Sequence, residues 1–195
     1  MHALFFEVRP KPGHLKHYFE HVDRLRPVLA RHAGLVFLDR YGALDDAEVL
    51  LSHQLWQDEE AIIGWRADPE HRRSQAAGRK VHFQDYRIRV CARVRHWTGD
   101  GPPLAEGAGP DRWGDAPHVI AAYGTAPLSY AGCQAFESVN HKGQFVTLGS
   151  VQGTDAAAAL FDALAQGQGV ESVAAYAVLR DYGQFDRAQA PDQSR

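Results

Sequence analysis

The chain has 195 residues, 45% of them hydrophobic and 23% charged, with a net charge of −3 when histidine is neutral. This is an ordinary globular composition, and it excludes the strongly basic surface of a nucleic-acid binder. No apolar run approaches the ~20 residues of a membrane span, and ALFF near the N-terminus is too short for a secretory signal, so a cytoplasmic protein is expected.

The first predicted element is a strand over residues 3–9, with Leu4, Phe6 and Val8 on one face and Phe5, Glu7 and Arg9 on the other. PKPG breaks it. A helix follows from about His14 to His32, with Leu15, Tyr18, Phe19, Val22, Leu25 and Leu29 as its apolar stripe, Pro27 as a kink and Gly34 as its stop. His14, His17 and His21 share one side of it at i, i+3, i+7. A solvated face is the expected reading; ligation of a transition metal is the sharper alternative, and no metal site is assigned.

Strands are predicted at 35–41 and 49–57, paired as a hairpin across ALDDAE. Asp58 caps the helix EEAIIGWR, with its acids at the positive end. In WRADPEHRRSQAAGR (65–79), Pro69 disfavours helical geometry at Asp68. The expectation is therefore a break, with Asp68 as N-cap, Pro69 at N1 and Gly78 as the stop. In one straight helix Trp65 and His71 would lie about 600° apart, on largely opposite sides. A bend turns both toward one cavity. His71 then sits in the first turn, where the helix dipole favours a neutral imidazole able to accept a proton. Trp65 by spacing alone is a core residue beside Ala61 and Ile62, and Arg66, Arg72, Arg73 and Arg79 read as a solvated face answered by Glu70 and Asp68.

A long strand over 83–94 completes the order β-α-β-β-α-β, the ferredoxin-like pattern. It sets Tyr86, Ile88, Val90, Ala92 and Val94 on one face and Asp85, Arg87, Arg89 and Arg93 on the other. Residues 97–116 form a Gly/Pro-rich linker. The pattern then partly recurs: HVIAAYG, a hairpin of QAFESVN and QFVTLGSVQ, the capped helix TDAAAALFDALAQ, and the strand VESVAAYAVLRDY. EVLLSHQLWQDEEAIIGW parallels QFVTLGSVQGTDAAAALFDAL, a divergent internal duplication. The second copy lacks its first helix and any Trp–His–Arg segment. The expected domains are 1–96, the linker 97–116, a degenerate copy 117–185, and a disordered tail 186–195. Helices on one side leave a face of the first sheet with Phe5, Glu7, Asp39, Tyr41, Arg87 and Arg89, which calls for a second sheet. The second half or a second copy of the chain supplies it. Cys91 and Cys133 occur in no zinc-binding spacing and are expected as buried free thiols.

The run WQDEEAIIGWRADPEHRRSQAAGR followed by FQDYRIRV resembles the antibiotic biosynthesis monooxygenase family, as do the first strand with FFEV and the segment HAGLVFLDRY. The resemblance covers roughly residues 2–96. It implies an α+β fold, the ferredoxin-like dimeric α+β barrel, here in tandem, and a homodimer as the family's usual assembly. It also implies an oxidoreductase that acts on a quinol, phenol or anthrone-type aromatic with dioxygen, without a cofactor. Haem binding or degradation is one alternative and a non-catalytic small-molecule module another. The first strand has no Asn, a departure from the haem-degrading members. By resemblance Trp65 and His71 border the pocket as catalytic residues, His71 as base. Arg66 and Arg72 stabilise an anion, and His53, Trp56 and Tyr86 line the substrate.

Overall fold

The computed structural model describes residues 1–99, 104–105 and 113–191. The first half runs β1 (His2–Pro10), α1 (Leu15–Leu29), β2 (Leu35–Ala43), β3 (Leu50–Trp56), α2 (Glu59–Ala67), α3 (Pro69–Ala77), a π-helical turn (Gly78–His82) and β4 (Phe83–Thr98). Beyond the short β5 (Leu104–Ala105), the second half runs β6 (Pro117–Gly124), β7 (Cys133–Ser138), β8 (Phe145–Gln152), α4 (Thr154–Ala165) and β9 (Val170–Gly183). No helix stands between β6 and β7, as the worn repeat predicts. Among the described residues no helix is long and apolar enough to cross a membrane.

Within each half the strands pair antiparallel in ferredoxin-like order, β4-β1-β3-β2 and β9-β6-β8-β7. Two further seams, β2 with β7 and β4 with β9, join the halves into a closed ring of eight strands. One chain thus closes its own barrel, with the second half standing where a second copy would be needed. The alternation of β1 explains the layering. Ala3 and Phe5 point into the ring and meet Tyr41, Phe136, Val146 and Tyr176. Leu4, Phe6 and Val8 point outward beneath the helices. The inward polar residues are answered across the ring: Asp39 accepts from Ser138 Oγ at 2.7 Å and Asn140 Nδ2 at 2.8 Å, and Arg89 pairs with Glu7 and donates to Ser150 Oγ at 2.6 Å.

Several sequence expectations change. The β4 strand runs through Trp97 and Thr98, which pair with Val173 and Ser172, so the predicted linker begins inside the sheet; most of the rest of 97–116 lies outside the described residues. Within the predicted tail, 186–191 is tied to both halves: Arg187 donates to Tyr86 Oη of the first at 2.7 Å, and Asp186 O accepts from Gly183 N of β9 at 2.7 Å. Residues 192–195 lie outside the described set. Helix α1 is shorter than predicted, and Leu15 is exposed while Val28 is buried. Helix α4 starts at Gly153 without a side-chain cap. Gly34, at φ +91°, does end the α1 connection, and its bare Cα fits where a Cβ would lie 2.8 Å from Ala61 Cβ. Gly78 is not a stop. Its backbone stays right-handed and the chain continues into the π-helical turn. Glycine is needed there for space, because a Cβ would fall 2.4 Å from the Phe83 ring. Cys91 is buried, but Cys133 is only half-buried.

Candidate functional site

The break at Pro69 forms as the sequence predicts. Asp68 ends α2 and caps α3, its Oδ1 accepting from Glu70 N at 2.8 Å and His71 N at 3.1 Å. Its Oδ2 takes a third contact, His32 Nε2 at 3.2 Å. The bend folds His71 back onto Trp65. Their rings stack 3.9 Å apart at 12°, and His71 Nδ1 stands 2.9 Å from the Trp65 carbonyl. A carbonyl only accepts, so Nδ1 carries the proton and Nε2 is the basic nitrogen. Burial pushes the imidazole pKa down to about 4, partly opposed by the Trp65 carbonyl and Asp68, so the ring is neutral near pH 7. Desolvation thus comes on top of the helix-dipole effect that the sequence predicts at this position.

Trp65 and His71 line a cavity of about 250 Å³ between the helices and the outer face of the sheet. Its floor is apolar, with Leu4, Phe6, Ile88 and Val90 from β1 and β4 and Ile62 from α2. Five arginines line it: Arg66, Arg72, Arg79, Arg180 and Arg187. Among the described residues, no lining residue is acidic. Glu59 pairs with Arg180 from outside that lining. The expected solvated arginine face is thus only partly so. Arg73 pairs with Glu70 at 3.4 Å, whereas Arg66, Arg72 and Arg79 border the cavity.

Of the seven residues predicted for the site, the structure brings five to this cavity: Trp65, His71, Arg66, Arg72 and Tyr86. His53 is not among them. Alternation along LLSHQLW sends Leu51, His53 and Leu55 into the barrel and Gln54 to the cavity side. His53 is fully buried there, stacked on Phe5 at 4.4 Å, with Nε2 2.7 Å from Tyr123 Oη. Burial pushes its pKa down to about 3. Trp56 faces the helices but is packed in the core, and its Nε1–H donates to Gln54 Oε1 at 3.0 Å, fixing a side chain that does line the cavity. Sequence reasoning missed Gln54 and the whole contribution of the second half: Arg180, Tyr182, Arg187 and Pro191. The signal was in the duplication. The parallel final strands pair with each other, with Ile88 opposite Tyr182 and Val90 opposite Arg180, so all four point to one side.

Residues 1–77 match the pattern of the antibiotic biosynthesis monooxygenases. Residues 1–77 thus carry an antibiotic biosynthesis monooxygenase domain. The match ends with the bent helix pair, so the cavity wall that carries Trp65 and His71 is family sequence. A jasmonate monooxygenase of Pyricularia oryzae is 29% identical over 216 residues, covering 98% of this chain and 97% of that protein, so the likeness runs through both halves. An aldoxime dehydratase structure shares the fold, with a TM-score of 0.54 at 9% identity over 91% of this chain and 80% of its own. An anthrone oxidase-like protein aligns over 98% of this chain and 96% of its own at 14% identity, with a TM-score of 0.41.

Proposed function

We propose that this antibiotic biosynthesis monooxygenase-type chain oxidises a small, largely apolar substrate with dioxygen, through an anion formed in the helix-side cavity and without a resident cofactor. A phenol, quinol or anthrone-type aromatic suits the cavity. The observation that carries the reading is the lining itself: an apolar floor, a neutral imidazole and five guanidinium groups, with no carboxylate among the described residues. The Pyricularia oryzae relative supports the polarity, since jasmonate is an organic anion.

Dioxygen chemistry usually draws on a metal or flavin. An electron-rich substrate dispenses with one if it first loses a proton, because its anion gives an electron to oxygen directly. The chain's residues would bind, desolvate and deprotonate. His71 Nε2 accepts the proton. An imidazole at about 4 facing a phenol near ~10 leaves roughly six units, or about 8 kcal/mol, to be made up. Guanidinium groups at a dry cavity can supply that by stabilising the oxyanion, and the oxyanion in turn holds the new imidazolium. Trp65, already stacked on His71, braces the ring. Haem, the alternative cofactor, would be held by His71 Nε2 and by the cavity arginines, and would supply the activation of dioxygen.

The test is oxygen uptake by the untagged chain on a panel of anthrones, quinols and jasmonic acid, with and without hemin. Turnover without hemin that falls about 100-fold or more in His71→Gln is expected. Undiminished turnover in His71→Gln would remove the base. Turnover that depends on hemin would replace the cofactor-free reading with the haem one, and no binding or turnover at all would leave a non-catalytic module.

A further inference from the structure

A second cluster of chemistry-bearing side chains lies outside the cavity. The sequence places His14, His17 and His21 on one side at the start of α1, and the fold adds His82 from the end of the π-helical turn. His14 Nδ1 and His82 Nδ1 stand 3.1 Å apart. The rings of His14, His17 and His82 form a near-equilateral triangle, with centres 5.5, 5.3 and 5.0 Å apart. The ring of His21 is 5.4 Å from that of His82.

We propose that this cluster is a binding site for a divalent transition-metal ion such as Zn²⁺, with His14, His17 and His82 as ligands and His21 or a water in the fourth position. Tetrahedral Zn–N bonds of ~2.0–2.1 Å put ligand nitrogens about 3.3 Å apart and imidazole centres about 5.2 Å apart. The triangle has that size. Two of the rings are also anchored as metal-binding imidazoles usually are, by a hydrogen bond from the other ring nitrogen. His17 Nδ1 meets Glu20 Oε2 at 3.0 Å and His21 Nδ1 meets Ser74 Oγ at 3.0 Å, which leaves Nε2 of each for an ion.

The charges around the cluster are mixed: Lys11 and Arg24 oppose a cation, and Glu20 favours one. Among the described residues no three donors already converge to hold an ion. Closing the donors on an ion takes a small rotation of the His17 ring, whose side chain is 46% exposed, about its hydrogen bond to Glu20. The bound ion would tie α1 to the cavity wall, because Ser74 belongs to α3 and His82 adjoins the lining residue Phe83.

The experiment uses the full, untagged, chelator-stripped chain. Co²⁺ is titrated in while visible absorption is followed, and Zn²⁺ affinity is measured by competition with a chromogenic chelator. One equivalent per chain should produce the intense visible bands of four-coordinate Co²⁺. His17→Gln and His82→Gln should each weaken Zn²⁺ at least tenfold, while His141→Gln, a 68% exposed histidine away from the cluster, should not. Far-UV circular dichroism checks that each variant is folded, and His17→Gln, on an exposed ring, serves if His82→Gln is not. Absence of a stoichiometric Co²⁺ spectrum would overturn the site. So would wild-type affinity in His17→Gln, which would reduce the cluster to a hydrogen-bonded His14–His82 pair.

Discussion

Replacing Asp68 by alanine tests the bend directly. The carboxylate caps α3 through two backbone donors and holds His32 with its second oxygen. Loss of such a cap costs about 1 kcal/mol, and the part-buried contact to His32 adds about 0.5 kcal/mol. For a chain of this size, about 1.5 kcal/mol lowers Tm by roughly 3–6 °C. Asp68→Asn keeps the capping oxygen and should lose only the His32 share, about 1–2 °C. Function should suffer more than stability, because the cap donors include the backbone N–H of His71 itself. A shift of about 1 Å in a positioned group can cost 100-fold in rate. The assays are thermal unfolding by circular dichroism and oxygen uptake on the best substrate of the panel. An unchanged Tm in Asp68→Ala would refute the cap. A lowered Tm with full turnover would refute the claim that the bend positions His71.

Three further outcomes follow from the geometry. His53 and His71 are both neutral in the fold, with values near 3 and 4 against 6.5 unfolded. Below 6.5 the unfolded chain therefore binds protons the fold refuses, and stability should fall as pH drops from 6.5 toward about 4. Each histidine adds a slope of up to about 1.4 kcal/mol per pH unit. Urea unfolding across that range should show the slope reduced in His71→Gln, and an equal slope in that variant would sink the assignment. Tyr123→Phe removes the hydroxyl that reaches His53 Nε2 at 2.7 Å and Tyr176 Oη at 3.2 Å, leaving a buried acceptor unpaired at about 1–3 kcal/mol; an unmoved urea midpoint would contradict it. Burial pushes the Cys91 thiol up to about 12, so a thiol reagent should label Cys133 alone until denaturant is added, and labelling of both in the folded chain would count against the packing described.

Local rules explain why the bend was legible and the cavity only half so. Pro69 and Asp68 act on their own neighbours, and the cap and the facing of Trp65 and His71 follow from them. The duplication likewise foretold two four-stranded sheets and a missing helix. His53 was misplaced because its family resemblance was weighed above the alternation of LLSHQLW, a period of two that already put it opposite Gln54. Arg180 and Arg187 were missed because they reach the cavity only through the β4–β9 seam and the seated segment after it, contacts between residues about 90 to 101 positions apart. Charge count could not separate Arg73 from Arg72, since the two are adjacent and only packing decides which one borders the cavity.

The closed ring has a consequence for how this chain can vary. In a barrel made of two identical copies, every substitution enters twice, once in each wall, and any change that suits one cavity is imposed on the other. Here the two walls are separate stretches of one gene product. A residue such as Arg180 can be placed opposite Val90 without a counterpart appearing on the far side. The second half is thereby free to lose helices and to specialise as one flank of a single, lopsided chamber. The ligand stoichiometry expected of such a barrel at this cavity is one, not two.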